Sequence, residues 1–272
     1  MKLRAPSPWD AAQAAGSALL GLFLVLPLVG LFATLSWSDF VGGLRNPLLW
    51  PAVRLSLFTT ACSLALVVVL GSLFAWRVAR RPGRLSRWME ATSQLPAVIP
   101  PAVAGVGLLL AFGRRGLLGA WLDRHGIALA FTTPAVILAE AFVSAPFFVQ
   151  AAIAAFRRVD EDLLVVARTL GASPFRTFLR VGLPLAAPGL VAGAAMSWAR
   201  AVGEFGATLL FAGNLTGRTQ TMPLAVYSAM ESDLRAAQAL SLVLVAIAFS
   251  LLFVLRRMAL GIALPGTDVR RA

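Results

Sequence analysis

Cysteine is almost missing from this chain, since Cys62 is the only one in 272 residues. A lone thiol excludes a disulfide within the chain and any cysteine-built metal site. Histidine is equally scarce. His125 stands alone in a polar stretch, where an isolated imidazole is a solvated loop residue. Charged residues make up only 13% of the chain, about half the share of an ordinary soluble domain. No GxxxxGK loop occurs, which excludes nucleotide binding by the P-loop route. There is no internal repeat and no stretch long enough for a soluble domain. What fills the sequence is hydrophobic, at 59% of positions. The apolar runs are continuous and do not alternate with a period of two, so helices and not a β-barrel are expected to meet a bilayer.

A membrane-crossing helix needs about 20 apolar residues. Charge-free runs of that kind occur at Ala11–Ser36, Leu55–Trp76, Leu95–Phe112 and Ala236–Leu255. Two more are interrupted by single ionisable residues: Ile127–Phe156 holds Glu140, and Pro184–Gly213 holds Arg200 and Glu204. The expected fold is therefore an all-α integral membrane protein of six transmembrane helices. The first run follows Lys2 and Arg4, as a signal peptide would. It is longer than the roughly 7–15 residues of a signal core, and no small-residue cleavage site follows, so it is expected to be a retained helix.

The net charge of +12 is a matter of placement. One set of loops holds Lys2, Arg4, Arg77, Arg80, Arg81, Arg84, Arg87, Arg157, Arg158, Arg168, Arg176, Arg180, Arg256, Arg257, Arg270 and Arg271. The other set holds only Arg45, Arg54, Arg114, Arg115, Arg124, Arg218 and Arg235. The richer set marks the cytoplasmic side and puts both termini inside. The charge is then a topology signal that calls for no nucleic acid. The outer loops are Trp37–Pro51, Gly113–Gly126 and Asn214–Ala236.

Three segments carry the functional signal. The third span, LPAVIPPAVAGVGLLLAFG, contains Pro96, Pro100, Pro101, Gly105 and Gly107. Proline inside a helix removes a hydrogen bond and clashes with the preceding turn. A kinked packing helix and a bending, pathway-lining helix both fit that composition. In the fifth span, Arg200 and Glu204 lie four apart on one helical face, with the cation in the less favourable first place. A structural ion pair and a gate both fit. A catalytic pair lacks a nucleophile, metal cluster or histidine beside it. Glu140 offers Arg200 a further partner.

The longest inner segment reads VDEDLLVVARTLGASPFRTFLRVGLPLAAPG. Asp160 to Asp162 suit a helix start, and Leu163, Leu164, Val166 and Ala167 form a helical stripe. Gly171 has the place of a C-capping glycine. Ser173 and Pro174 open a second short helix, with Phe175, Phe178, Leu179 and Val181 on its apolar face. Pro184 and Pro188 are expected to end the unit and open the next span. An amphipathic hairpin that only anchors in lipid has the same pattern.

This segment resembles the cytoplasmic loop of ABC importer permeases, whose pattern is Glu-Ala-Ala, three residues, Gly, nine residues, Ile, one residue, Leu-Pro. Ala167, Gly171, Leu183 and Pro184 match it, Val181 replaces the Ile, and Val165 and Val166 replace the Glu-Ala pair. The resemblance extends over about Pro51 to Arg257 to permeases of the molybdate and sulfate branch. It rests on LPAVIPPAVAG, FGRRGLLG, ARTLGAS, ARAVGEFGA and GRTQTMPLAVYSAM. The GEFGA-like piece is shared with sulfate permeases; FGRRGLLG and PLAVYS lean towards molybdate.

The resemblance implies a type I importer permease in the cytoplasmic membrane, working as a homodimer with two ATPase subunits and an extracytoplasmic oxyanion-binding protein. The chain itself would bind no cofactor, with ATP and Mg held by the ATPase. Molybdate or tungstate is the implied cargo, and sulfate the alternative. A stand-alone membrane enzyme and an ion-coupled transporter are different classes that would have no use for the loop. The implied ATPase contact is Ala167, Arg168, Gly171, Ala172, Leu183 and Pro184. Pro100, Pro101, Arg200, Glu204 and Phe205 are candidates for the pathway or gate. Arg114, Arg115 and Arg218 are candidates for docking the binding protein, with solvated loop arginines as the plain alternative. The implied domain runs over 51–257, with the coupling loop at 157–184. An N-terminal tail, first helix and outer loop (1–50) precede it, and an inner tail (258–272) follows.

Overall fold

In hydrocarbon every backbone polar group must find its partner within the protein, and helices do this segment by segment. The computed structural model describes residues 7–263, and among these it is built of helices without strands. Lys2, Arg4, Arg270, Arg271 and the tail beyond 263 lie outside the described residues.

The chain opens with α1 (Pro8–Ala33), fixed at its start by a capping box. The Ser7 hydroxyl accepts from the Asp10 N–H at 3.2 Å, and the Asp10 carboxylate accepts from the Ser7 N–H at 2.9 Å. None of its residues is buried. It is tied to the bundle where Gln238 donates to the Leu31 carbonyl at 2.9 Å. Then come α2 (Trp37–Leu44), α3 (Leu49–Arg80), α4 (Arg84–Ser93), α5 (Leu95–Val98), α6 (Pro101–Phe112), α7 (Gly119–Arg124) and α8 (Thr133–Arg157). On the inner side lie α9 (Glu161–Thr169) and α10 (Pro174–Thr177), followed by a π turn (Phe178–Gly182), α11 (Leu183–Val202) and α12 (Gly206–Ala212). Last are α13 (Met222–Ser232) and α14 (Leu234–Ala263). Five continuous spans are long and apolar enough to cross a membrane, and the bent pair Arg84–Val98 and Pro101–Phe112 makes the sixth.

Two expectations are corrected here. The third span is not one kinked helix, because its two pieces meet at 114°. The cause is the Pro100–Pro101 pair. A proline forces the residue before it out of the α region, and Ile99 is extended at φ −69°, ψ 128°. Pro184 does not end the second short helix either. Pro174–Val202 is a continuous helix of 29 residues. Pro184 has no N–H to give the Arg180 carbonyl, and the π turn just before it absorbs the mismatch, with Leu183 N–H reaching back to the Phe178 carbonyl. The fifth span is also broken further out, at Gly203–Phe205.

The core gathers on α8, which packs against both α3 and α11. At its inner end Trp76 meets Phe156 and Phe178 edge-on, at centroid distances of 5.2 and 5.3 Å. Such aromatic pairs add about 0.5–1.5 kcal/mol beyond their burial. Arg80 lies 5.3 Å over the Trp76 ring and donates to the carbonyls of Phe156 and Val159 at 2.6 and 2.7 Å. It thereby ties α3 to the C-terminal end of α8 and to the turn that follows it. Gly182 presses on the same tryptophan, where an added Cβ would stand 2.5 Å from the ring. Trp76 thus clamps the long Pro174–Val202 helix to α3.

Candidate functional site

The two broken spans meet at their breaks. The start of α12 packs directly on α6, because small residues let the backbones approach. A Cβ on Gly105 would lie 2.8 Å from the Ala207 carbonyl oxygen and 2.9 Å from its Cα. Gly206 faces Pro101 and the Ala102 nitrogen in the same way, at 3.1 and 3.2 Å. Gly105→Val is therefore expected to force the half-helices apart. Overpacking of this kind costs about 1–3 kcal/mol. A thermal melt of the purified protein equal to wild type would show that the contact gives way freely.

Glu204 sits at this junction. One carboxylate oxygen accepts from the Ala207 N–H at 2.8 Å, and the other pairs with Arg200 at 2.6 Å. The Glu204 side chain is 1% exposed, and that of Arg200 26%. The carboxylate caps the first turn of α12 while the guanidinium, in the last turn of α11, balances its charge. The unfavourable charge order read from the sequence does not govern this pair, because Gly203 ends α11 before Glu204 is reached. Phe205 is half-buried, its ring 5.3 Å from that of Tyr227. Pro101 shares the junction, and Pro100 is exposed at the bend.

Glu140 does not join Arg200. It is buried on α8 and accepts from the Thr59 hydroxyl of α3 at 2.8 Å. Thr59 belongs to a buried hydroxyl stripe, Ser56, Thr59, Thr60 and Ser63, which sequence reasoning passed over. Its spacing of i, i+3, i+4, i+7 was the available signal. Ser56 also accepts from the Met222 N–H at 2.7 Å and so ties α13 to α3.

At the inner end, the turn after α9 is a Schellman motif. Gly171 has φ +84°, its N–H donates to the Arg168 carbonyl at 2.9 Å, and the Ala172 N–H reaches the Ala167 carbonyl at 3.0 Å. The Ser173 hydroxyl caps α10 by accepting from the Arg176 N–H at 3.3 Å. Around this turn Val165, Val166, Leu170 and Phe175 are exposed, together with Arg168. Ala167 and Ala172 are half-buried beneath them. Leu183 and Pro184 do not belong to the exposed turn. They lie about 15 Å further along the continuous helix.

At the outer end, Arg114 and Arg218 line one cavity of about 460 Å³ with Asp123, Phe131 and Thr132. The Arg218 loop is held there by Thr133, whose hydroxyl donates to the Arg218 carbonyl at 2.9 Å. Neither guanidinium has an ion-pair or hydrogen-bond partner among the described residues. Arg115 is exposed and outside that cavity. His125 caps α7 in the same region, its ring tilted against that of Trp121 with centroids 4.5 Å apart. Elsewhere on this face, the Ser36 hydroxyl, and then Arg235, hold the Asp39 carboxyl below the usual carboxylate range. The Glu231 carboxylate holds the Tyr227 hydroxyl above its ordinary value. Among the described residues no group of three or more metal-ligating side chains forms.

Residues 67–262 match the family described as binding-protein-dependent transport system inner membrane component. The chain belongs to that family. As one of these permeases it is a multi-pass membrane protein, and ATP hydrolysis belongs to a separate subunit. The permease is 45% identical over 227 residues to the molybdenum transport system permease protein ModB of Mycobacterium tuberculosis, covering 84% of this chain and 86% of that one. It is 34% identical over 238 residues to the sulfate transport system permease protein CysT of Escherichia coli, covering 85% of each. A solved bacterial ABC transporter involved in import of the acidic polysaccharide alginate superposes with a TM-score of 0.73, over 92% of this permease and 94% of that chain. At 17% identity it shares the fold.

Proposed function

We propose that this permease is the membrane subunit of an ATP-driven importer of molybdate, with tungstate as a second cargo. The carrying observation is the 45% identity to a molybdenum permease across most of both chains, against 34% to a sulfate permease. The sulfate reading stands second on that relative.

The geometry suggests how such a subunit works. The exposed apolar turn of Val165, Val166, Leu170 and Phe175, with Arg168 at its side, suits a cleft on the ATPase subunit. Ala167, Gly171 and Ala172 hold the turn's shape from beneath. ATP and Mg belong to that partner, and this chain binds no cofactor. Leu183 and Pro184 act within the helix and not at its docking end. From the turn, the 29 residues of Pro174–Val202 run about 43 Å at 1.5 Å per residue. They end at the Arg200–Glu204 pair, next to Pro100, Pro101 and Phe205. A push at the docked turn therefore arrives where both broken helices meet. Two copies of the chain form one pathway along their two-fold axis in the cytoplasmic membrane, and it opens alternately to either side. Conduction needs weak contacts so that the anion leaves as readily as it enters. One part-buried arginine already satisfied by Glu204 meets that need. Arg114 and Arg218 face the side from which a binding protein delivers its anion, with Arg115 nearby on the same loop.

The test is ATP-dependent uptake of labelled molybdate into vesicles carrying the permease, its ATPase and its binding protein. Competition by tungstate but not by excess sulfate is expected. Competition by sulfate would move the permease to the second reading, and no ATP-dependent uptake of either anion would remove both.

A further inference from the structure

We infer that the outward face of α4 is a binding site for an anionic phospholipid headgroup at the inner surface of the membrane. Arg84, Arg87, Trp88 and Ala91 line a shallow groove of about 300 Å³ on that face. Neither guanidinium has an ion-pair or hydrogen-bond partner among the described residues, and the Trp88 ring is 69% exposed.

The groove is built, because α4 is pinned on its other side. Ser86 is buried, donates to the Arg81 carbonyl and accepts from Arg77 at 3.4 Å. Glu90 holds Arg157 of α8 through two bonds, at 3.0 and 2.6 Å. Ser93 accepts from Gln150 at 3.2 Å. These residues recur at the helical spacing of one face, so Arg84, Trp88 and Ala91 point the other way, while Arg87 stands at the edge and also borders the groove of Ser86, Glu90 and Arg157.

The outward face is graded along the chain. Arg84 and Arg87 come first, then Trp88, then Ala91, Leu95 and Val98, all exposed. That order reproduces the section of a membrane leaflet: cations at the phosphates, an indole at the boundary, and apolar side chains against the acyl chains. Anionic lipids of the inner leaflet attract basic residues placed at that depth. A second copy set against it α4 on α4 is a poor occupant, since it would bring the same two arginines against these.

The inference does not depend on which anion is carried. Its test uses the full transporter, reconstituted in nanodiscs of phosphatidylcholine doped with phosphatidylglycerol. Native mass spectrometry then reads the lipid retained by the permease chain. Wild type is expected to retain phosphatidylglycerol over phosphatidylcholine, and Arg84→Gln with Arg87→Gln to lower that preference on the order of tenfold. Arg45→Gln with Arg54→Gln removes the same charge from exposed positions on the outer side and is expected to change nothing. Equal retention by wild type and the inner variant would overturn the site. So would displacement of the lipid by inorganic phosphate. A preference seen only when the ATPase subunit is stripped away would assign the arginines to that subunit instead.

Discussion

Gly171→Pro is expected to leave the permease inserted in the membrane and to abolish both uptake and transport-stimulated ATP hydrolysis. The spans are untouched by the change, because Gly171 lies in an exposed turn between α9 and α10. The turn itself does not survive it. Proline locks φ near −65°, whereas Gly171 has φ +84°, and its N–H is spent on the Arg168 carbonyl. Losing the left-handed cap frees the carbonyls of the last α9 turn. It also turns Leu170 and Phe175 away from their common surface. Gly171→Ala separates the two causes. It keeps the N–H and costs about 1–2 kcal/mol for the left-handed backbone, so a partial loss of uptake is expected. Membrane yield, uptake and ATPase activity of the three proteins make the comparison. Full uptake with proline at 171 would show that the turn transmits nothing.

Arg200→Ala carries the second large effect. It leaves Glu204, 1% exposed, with its capping bond to Ala207 and no counter-charge. Removing one partner of a buried pair costs about 3–5 kcal/mol, mostly for the charge left behind. The expected result is a permease that melts several degrees lower and does not transport. Arg200→Ala with Glu204→Gln removes the stranded charge and keeps an acceptor for the Ala207 N–H. Stability is expected to return in that double variant while uptake stays low, because the junction has lost its ion pair. A single variant with wild-type melting and wild-type uptake would reduce Arg200 to a dispensable contact.

The membrane class and both sets of loops were legible in the sequence because hydrophobicity and arginine placement are imposed by the bilayer itself. The turn between α9 and α10 was legible residue by residue, since Gly171, Ser173 and Pro174 each do there what their backbone chemistry demands. What was not legible was geometry between elements. Pro100 and Pro101 announced a disturbance, but only packing decides between a kink and a bend of 114°. Pro184 looked like a terminator, and the π turn that lets the helix run through it has no signal in composition. Glu140 was offered to Arg200 as a further partner because both interrupt apolar spans. Its partner Thr59 is 81 residues away in the chain, a distance at which one sequence is silent.

The Trp76 clamp gives the Pro174–Val202 helix unequal arms. Gly182, where the tryptophan grips it, is about 12 Å from the inner end at Pro174 and about 30 Å from the Arg200–Glu204 end. The longer arm is not free to swing about that point, because Gly189 and Gly193 lie hard against Ala155 and Ala151 of α8, and the Ser197 hydroxyl donates to the Ser144 carbonyl at 3.0 Å. A displacement applied at the inner end would therefore carry α8 with it and not tilt the helix alone. The moving body is then a two-helix beam, and the Arg200–Glu204 junction would travel with the whole of it.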